Sequence, residues 1–195
     1  FLQQPNSDAR GDAHLWQGWH GLKPYAYDRK RLTRFCSEFG MESLPDLRTT
    51  ATFAKPEEFS LTSPVMQHHQ RSAGGNEKML YYLSGRFRLP RSFEDLTHLT
   101  QINQAEALRI AVEHWRRNAP RCSGALYWQL NDCWQVCSWS SMDYFGRWKA
   151  AQYAARRFFA PLALSVEQSQ STANIWLTNE TIQPFHGQVR WFLET

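Results

Sequence analysis

The stretch Arg31-Leu-Thr-Arg-Phe-Cys-Ser-Glu-Phe-Gly40 decides the fold, because an apolar and aromatic run ends there in a carboxylate and a glycine. A second run of this kind, Gly124-Ala-Leu-Tyr-Trp-Gln-Leu-Asn-Asp132, also ends in polar residues. Between them, apolar residues recur at three- and four-residue steps from Ser92 to Asn118, which predicts an amphipathic helix. Strand, helix and strand in this order imply parallel strands. The pattern predicts an α/β fold of the (β/α)₈ barrel kind, with its chemistry at the carboxyl ends of the strands.

Loops and shorter helices surround these segments. Residues 1–30 contain several Gly and Pro breakers and are predicted to be loop. The first strand is predicted over 31–37, and the long excursion over 41–74 that follows is typical of an active-site wall. The remaining elements predicted in this part are short helices around Pro56–Ser60 and Pro64–Gln70, helices over Asn76–Phe87 and Gly146–Ala160, a strand over Gly124–Leu130 and a loop over 131–145.

The pattern changes after Pro161. Apolar and polar residues alternate there, with short turn-rich gaps, which is typical of half-buried antiparallel strands. Three strands are predicted, over Leu162–Gln168, Ala173–Thr178 and Gln188–Leu193. We therefore expect residues 1–160 to form part of a barrel domain and residues 161–195 to begin an incomplete β-sandwich.

Length and charge narrow the class of protein. The 195 residues suffice for one domain and part of another, and a chain that starts at Phe1 is expected to be a piece of a longer protein. The net charge of +4 comes with basic pairs that are scattered along the chain, which argues against a nucleic-acid surface. The sequence contains no apolar run of membrane-spanning length, so no membrane association is expected.

The cysteines and histidines do not predict a metal site. The four cysteines are Cys36, Cys122, Cys133 and Cys137, and no second Cys or His pair completes a zinc set. Free thiols are expected, with a Cys133–Cys137 disulfide as the alternative. Free thiols weakly favour a reducing, cytoplasmic compartment, and periplasmic or lysosomal locations stay open. The pair His68-His69 is expected to be exposed rather than to bind a ligand, and no metal or cofactor is predicted.

Glu38 and the tryptophans are the candidate functional residues. A carboxylate at a strand end can serve as a nucleophile, a general base, a metal ligand or a member of an ion pair. Of nine tryptophans, five lie in loop-like or strand-end stretches, where they either line a pocket or fill the core. Aromatic faces stack on sugar rings, so this combination favours a glycosidase, an enzyme class that usually employs two carboxyl groups. The five are Trp16, Trp19, Trp128, Trp134 and Trp139.

Three motifs together closely resemble the β-mannosidases of glycoside hydrolase family 2. They are Gly11-Asp-Ala-His-Leu-Trp-Gln-Gly-Trp-His-Gly21, Ser37-Glu-Phe-Gly40 and Leu126-Tyr-Trp-Gln-Leu-Asn-Asp-Cys-Trp-Gln-Val-Cys-Ser-Trp-Ser-Ser-Met-Asp-Tyr-Phe-Gly-Arg-Trp-Lys149. The third motif is long and specific, whereas Ser-Glu-Phe-Gly alone is a weak signal. The resemblance covers nearly the whole chain.

The resemblance implies a fold and a set of roles. It implies that the chain is the C-terminal portion of a TIM barrel followed by an immunoglobulin-like β-sandwich. Glu38 is then the nucleophile on the seventh barrel strand, and Trp128, on the eighth, lines the subsite for the mannosyl ring. The first motif is similar to the loop before the seventh strand. Through that loop the resemblance adds Asp12, His14 and Trp16 to the pocket wall, and further Trp19 and His20.

The chain departs from the family pattern at the acid/base. In the family this residue is the Glu of an Asn-Glu pair on the fourth strand, but Asn76-Glu77 and Asn179-Glu180 both follow Glu38 in the sequence. Neither pair is assigned the role, so this chain is expected to carry half of a catalytic pair. The expected partners are β-mannoside oligosaccharides and the preceding domains of the same polypeptide.

Several alternatives stay open on the sequence alone. Asn131 and Asp132 either bind sugar hydroxyls or cap the loop after the strand, and Trp139 either floors the pocket or packs beneath it. The chain belongs either to an exo-acting β-mannosidase or to a related enzyme acting on a β-galactoside, glucuronide or glucosaminide. A non-catalytic carbohydrate-binding or structural segment is the third hypothesis.

Overall fold

Three extended segments run parallel at the centre of this computed structural model, which describes residues 6–169 and 171–192. Strand β1 (Ala13–Leu15) pairs in parallel with β2 (Cys36–Phe39). On β2, the amide of Cys36 donates to the carbonyl of Gly124 (3.0 Å) and its carbonyl accepts from the amide of Leu126 (2.8 Å). The three segments therefore bring their carboxyl ends to one edge.

Three strand predictions are corrected here, and the first is 31–37, of which only residues 36 and 37 belong to β2. The predicted loop 1–30 contains β1, whose three residues are too few to show a periodic pattern. The predicted strand Gly124–Leu130 forms one bridge, Ala125 to Cys36, rather than a ladder. The reason is that the chain turns away after Trp128: the amide of Gln129 donates to the carbonyl of Trp139 (3.1 Å).

The long helix α4 (Phe93–Arg117) supports this parallel unit and confirms the expected amphipathic helix. Ser92 caps it by accepting a hydrogen bond of 3.0 Å from the amide of Asp95. Its buried residues Leu108, Val112 and Trp115 pack with β1, β2 and the buried face of helix α5 (Ala150–Phe158). This cluster is the first of two cores.

The excursion after β2 builds the second core. It contains helices α1 (Leu47–Thr50) and α2 (Pro64–His68) and the 3₁₀ turn Pro56–Glu58, and it leads into α3 (Gly75–Ser84). A further 3₁₀ turn covers Tyr25–Lys30. The apolar side chains of these elements gather around Trp19, Met41 and Leu44. The helices predicted near 64–70 and 76–87 are thus confirmed as α2 and α3, of which α3 begins one residue earlier and ends three residues sooner than predicted, whereas the segment near 56–60 is a 3₁₀ turn.

Helix α5 begins later than the predicted Gly146. Trp148 forms an antiparallel bridge with Met142, and the amide of Lys149 donates to the carbonyl of Ser141 (2.9 Å). These contacts hold residues 146–149 against the preceding loop, so the first helical residue is Ala150.

An antiparallel hairpin follows α5. Strand β3 (Leu162–Gln168) pairs with β4 (Ala173–Asn179), and Ser165 lies opposite Trp176. The predicted third strand, Gln188–Leu193, is wrong for residues 188–192, which are exposed throughout and form no ladder, whereas Leu193 lies outside the described residues. A strand needs backbone hydrogen-bond partners, and residues 188–192 have none in the described part of the chain.

The described residues thus form an α/β fold with two small sheets, one parallel and one antiparallel. All four cysteines are free, and only Cys133 among them is exposed. Within residues 6–169 and 171–192, no helix combines the length and the apolar character that crossing a bilayer demands.

Candidate active site at the carboxyl ends of the parallel segments

The carboxylate of Glu38 lies at the end of β2 and is held by two ring nitrogens. Trp16 donates a hydrogen bond of 2.8 Å from Nε1 to Glu38 Oε2, and Nδ1 of His14 lies 3.4 Å from the same oxygen. The Glu38 side chain is 26% exposed, so the group is accessible while its orientation is fixed. A carboxylate that is both oriented and accessible is suited to attack or to proton transfer.

Strand β1 brings His14 and Trp16 to this position. Its register places His14 directly opposite Glu38, after an irregularity between Ala13 and His14. Trp16 follows the last residue of β1, so its indole reaches across the strand ends. The motif that the sequence placed in a loop is therefore a strand and its immediate exit.

Asp12 contacts His14 and Ser37 rather than Glu38 itself. Its carboxylate lies 3.8 Å from Nε2 of His14 and accepts a hydrogen bond from the hydroxyl of Ser37. The hydrogen bond from Ser37 is the main cause that lowers the pKa of Asp12. Asp12 is exposed and lies on the solvent side of this cluster.

Gly40 allows the segments around Glu38 to approach closely. A Cβ at this position would collide with the carbonyl of Trp128 and would lie 3.2 Å from the Trp139 ring and 3.3 Å from the Trp16 ring. Only glycine leaves room for all three contacts. The glycine of the Ser-Glu-Phe-Gly motif is thus required by packing.

Trp16 and Trp139 form the floor beside the carboxylate. Their rings meet edge to face at 6.0 Å, and Trp139 meets Trp19 in the same way at 6.2 Å. The Nε1 atom of Trp139 is buried, and no described residue provides a hydrogen-bond partner for it. Trp139 packs beneath Trp16, which favours a supporting role in the pocket floor.

Trp128 presents an open aromatic surface next to this floor. Its amide donates to the carbonyl of Phe39 (2.8 Å), which places it beside the residue that follows Glu38. The side chain is 46% exposed. The segments that carry Trp128 and Glu38 are therefore neighbours, and an exposed indole is a surface on which a sugar ring can stack.

Two of the residues predicted to bind substrate have structural contacts instead. Trp19 is fully buried, and its Nε1 donates to the hydroxyl of Ser72 (3.2 Å), so its ring cannot contact a ligand. Asp132 is also buried and accepts hydrogen bonds from Ser138 (2.7 Å) and Ser140 (2.6 Å). These contacts favour the loop-capping alternative for Asp132, whereas Asn131 is exposed.

Of the remaining acidic and histidine candidates, His20 is exposed with its ring 5.3 Å from the Trp16 ring, and the others have contacts elsewhere. Glu180 pairs with Arg116 at 3.0 Å near the end of α4, and Glu77 lies in the first turn of α3. His68 is exposed as expected, but His69 is buried between the rings of Phe53 and Trp134. Among the described residues, no group of three His, Cys, Asp or Glu side chains is arranged to bind a metal ion.

Sequence reasoning did not find the buried polar residues beneath the site. Gln104, Glu42 and Lys149 are all inaccessible to solvent. Two features of the sequence could have indicated these residues. Asn103-Gln104 interrupts the apolar stripe of α4, and Lys149 immediately precedes the first residue of α5. A polar residue on a core-facing helix surface indicates a buried hydrogen-bonding site.

Comparison with known proteins finds glycoside hydrolases that are similar to this chain. β-Mannosidase B of Aspergillus niger is 34% identical over 197 residues, which cover 92% of the chain and 23% of that protein. The β-mannosidase of Capra hircus is 42% identical over 142 residues, or 66% of the chain and 16% of that protein. No family model matches the chain.

Solved structures give the same result. The crystal structure of β-D-mannosidase from Dictyoglomus thermophilum superposes with a TM-score of 0.88 at 35% identity, covering 91% of the chain and 22% of that protein. The exo-chitosanase of Amycolatopsis orientalis reaches 0.67 at 20% identity over 78% of the chain and 20% of that protein, a likeness of fold alone. The chain spans less than a quarter of the length of these proteins.

Proposed function

The chain belongs to the β-mannosidases of glycoside hydrolase family 2, and we propose that the protein carrying it removes terminal non-reducing β-D-mannose residues from β-mannosides. The observation that carries the proposal is the carboxylate of Glu38, which is oriented by Trp16 and stays accessible, on a strand whose neighbouring segment carries the exposed Trp128. Its substrates are β-mannoside oligosaccharides.

The finer architecture is part of this proposal. Residues 1–160 are the C-terminal part of a TIM barrel, with β2 and the segment 124–130 as its seventh and eighth strands. Strand β1 then takes the place of the sixth. Residues 161–195 begin an immunoglobulin-like sandwich, of which β3 and β4 are the first hairpin. The parallel pairing within residues 13–39 and the antiparallel pairing after residue 161 support this division.

The reaction that fits the site is a retaining double displacement. The ionised carboxylate of Glu38 attacks the anomeric carbon, and a bond from this carbon to a Glu38 oxygen replaces the glycosidic bond. A second carboxylic acid protonates the leaving oxygen and then, as a carboxylate, takes a proton from the water that releases mannose. We assign this acid/base to the fourth strand of the same barrel, in a part of the polypeptide that precedes this chain.

The surrounding side chains provide orientation and binding. The hydrogen bond from Trp16 to Glu38 Oε2 leaves the attacking group in one orientation, which lowers the cost of reaching the transition state. Trp128 stacks on the mannosyl ring, while His14 and Asn131 lie exposed where sugar hydroxyls would bind. Trp139 supports Trp16 from beneath.

The test is covalent trapping in the full-length protein. A 2-deoxy-2-fluoro-mannosyl fluoride should leave one mannosyl adduct, located by peptide mapping on the peptide that contains Glu38. Glu38→Gln should abolish the adduct and lower turnover of an aryl β-mannoside by at least about a thousandfold. Glu57→Gln, at an exposed glutamate, serves as the matched control and should do neither.

The same assay separates the alternatives. If the protein turned over an aryl β-galactoside, glucuronide or glucosaminide faster than the mannoside, the proposed substrate would carry that sugar in place of mannose. Sugar binding without any turnover would indicate a non-catalytic carbohydrate-binding protein. Near-normal activity of Glu38→Gln would refute the assignment of the nucleophile.

A further inference from the structure

One buried amide ties together the two segments that flank Glu38. Gln104 lies in the middle of α4, and its Nε2 is within 2.9 Å of the carbonyls of Met41 and Trp139 and 3.1 Å of the carbonyl of Ser140. Its Oε1 accepts a hydrogen bond of 2.8 Å from the hydroxyl of Ser43. The side chain is fully buried, and each of its polar atoms is satisfied by these two segments alone.

The partners of Gln104 lead directly to the carboxylate. Met41 follows Glu38 by three residues, at the exit of β2. Trp139 packs its ring edge to face against Trp16, and Trp16 donates the hydrogen bond to Glu38. A shift of Trp139 relative to Met41 would therefore move the indole that orients the carboxylate.

We propose that Gln104 is a positioning residue for Glu38. By holding the exit of β2 and the backbone of Trp139 at a fixed separation, it keeps the Trp16 indole aligned with Oε2 of Glu38. This role rests on the proposed function, because it concerns the orientation of the proposed nucleophile. Gln104 acts through Trp139 and Trp16 and does not contact the substrate.

A second tether allows the site to fold without Gln104. Nζ of Lys149 donates to the carbonyls of Ser43 (3.3 Å) and Ser138 (3.2 Å), next to the bridge that pairs these two residues. The two segments thus stay joined when the amide is removed. Loss of Gln104 should loosen the alignment of the site rather than separate its parts.

The test compares two glutamines of the same helix in the full-length protein. Gln104→Met keeps the length of the side chain and removes its hydrogen bonds. Gln101→Met is the matched control: Gln101 also binds two backbone groups, the Leu44 carbonyl (3.2 Å) and the Ala150 amide (3.1 Å), but neither belongs to the site. Steady-state rates with an aryl β-mannoside are measured at 25 °C, well below the thermal midpoints of both variants.

We expect Gln104→Met to lower kcat by at least about tenfold with little change in KM, because misplacement of a reacting group slows the chemical step. Gln101→Met should leave both values within about twofold of the wild type. A loss of thermal stability in Gln104→Met with an unchanged kcat would overturn the proposal and leave Gln104 a structural residue.

A second comparison tests whether Gln104 acts on Glu38 through Trp139 and Trp16, and it does not depend on the folding of Gln104→Met. Trp139→Phe keeps every backbone bond to Gln104 but shortens the ring that supports Trp16, and it should also lower kcat rather than raise KM. The double variant with Trp16→Phe should lose no more activity than Trp16→Phe alone, since both changes act on one alignment. Additive losses in the double variant, or an unaffected kcat in Trp139→Phe, would show that Gln104 does not act through Trp139 and Trp16.

A wild-type protein without β-mannosidase activity would refute the proposed function instead, and with it the positioning role.

Discussion

The indole Nε1 of Trp16 donates a hydrogen bond of 2.8 Å to Oε2 of Glu38, across 22 residues of sequence. A hydrogen bond to a charged group contributes about 1.5–3 kcal/mol. We expect Trp16→Phe, which keeps an aromatic ring and removes the donor, to lower kcat/KM of the full-length protein by about ten- to a hundredfold for an aryl β-mannoside.

The control for this variant is Trp176→Phe. Trp176 lies on an exposed face of the β3–β4 hairpin, so the same substitution there should leave the kinetics unchanged. If Trp16→Phe raised KM at constant kcat, its ring would contribute to substrate binding rather than to the orientation of Glu38.

The long helices were predictable from the sequence because their signals are local. Ser92, the acidic first turn and the apolar stripe of α4 all lie within one stretch of sequence, and the structure has the helix over Phe93–Arg117. The three-residue strand β1 was not predictable in this way. Its identity depends on pairing with β2, whose register partners lie 23 residues away for Ala13 and Cys36 and 24 residues away for Leu15 and Phe39, and no local periodicity encodes such a contact.

The sequence predicted the site residues that lie in a recognisable motif, but it did not predict which of them are buried. Glu38 and Trp128 lie on adjacent segments as the motifs indicated, and their roles stay predictions. Trp19 has the same local sequence character as Trp16, yet it is fully buried and bonded to Ser72, and only the tertiary packing distinguishes the two. The polar contacts of Gln104 are likewise a property of three separate segments.

Gly40 provides a stability prediction. A methyl group at Gly40 would collide with the backbone carbonyl of Trp128, which cannot move without breaking its segment away from β2. We expect Gly40→Ala to destabilise the protein by about 1–3 kcal/mol, measured as a lower thermal midpoint. Gly85→Ala is the control, because a Cβ there meets nothing closer than 3.9 Å and the backbone is in the right-handed helical region.

Two roles stay open for Asp132, capping of the loop and binding of sugar hydroxyls, and a substitution distinguishes them. Its carboxylate accepts hydrogen bonds from the hydroxyls of Ser138 and Ser140, which also contact each other at 2.9 Å, so Asp132→Ala should leave one buried hydroxyl without an acceptor and cost about 2 kcal/mol of stability, with KM unchanged. Asn131→Ala, at the exposed neighbour, should leave the thermal midpoint unchanged. A large rise in KM for Asp132→Ala without loss of stability would restore the sugar-binding role.

Glu42 introduces a pH dependence of stability. Its carboxyl is fully buried, and burial raises its pKa to about 8, although a hydrogen bond from Gln70 and the charges of Lys149 and Lys78 oppose the shift. The unfolded chain releases this proton near the ordinary pKa of about 4.5. Between these two values the native state holds a proton that the unfolded state has lost, so stability falls as the pH rises.

We therefore expect Glu42→Gln, which cannot ionise, to remove this fall. The variant should gain stability relative to the wild type on going from pH 5 to pH 8, by an amount on the order of 2–3 kcal/mol, read as a growing difference in thermal midpoint. Glu57→Gln, at an exposed carboxylate, should show the same difference at both pH values. If the wild type instead gained stability over Glu42→Gln as the pH rose, Glu42 would be ionised in the native state, and the nearby Lys149 would outweigh the cost of its burial.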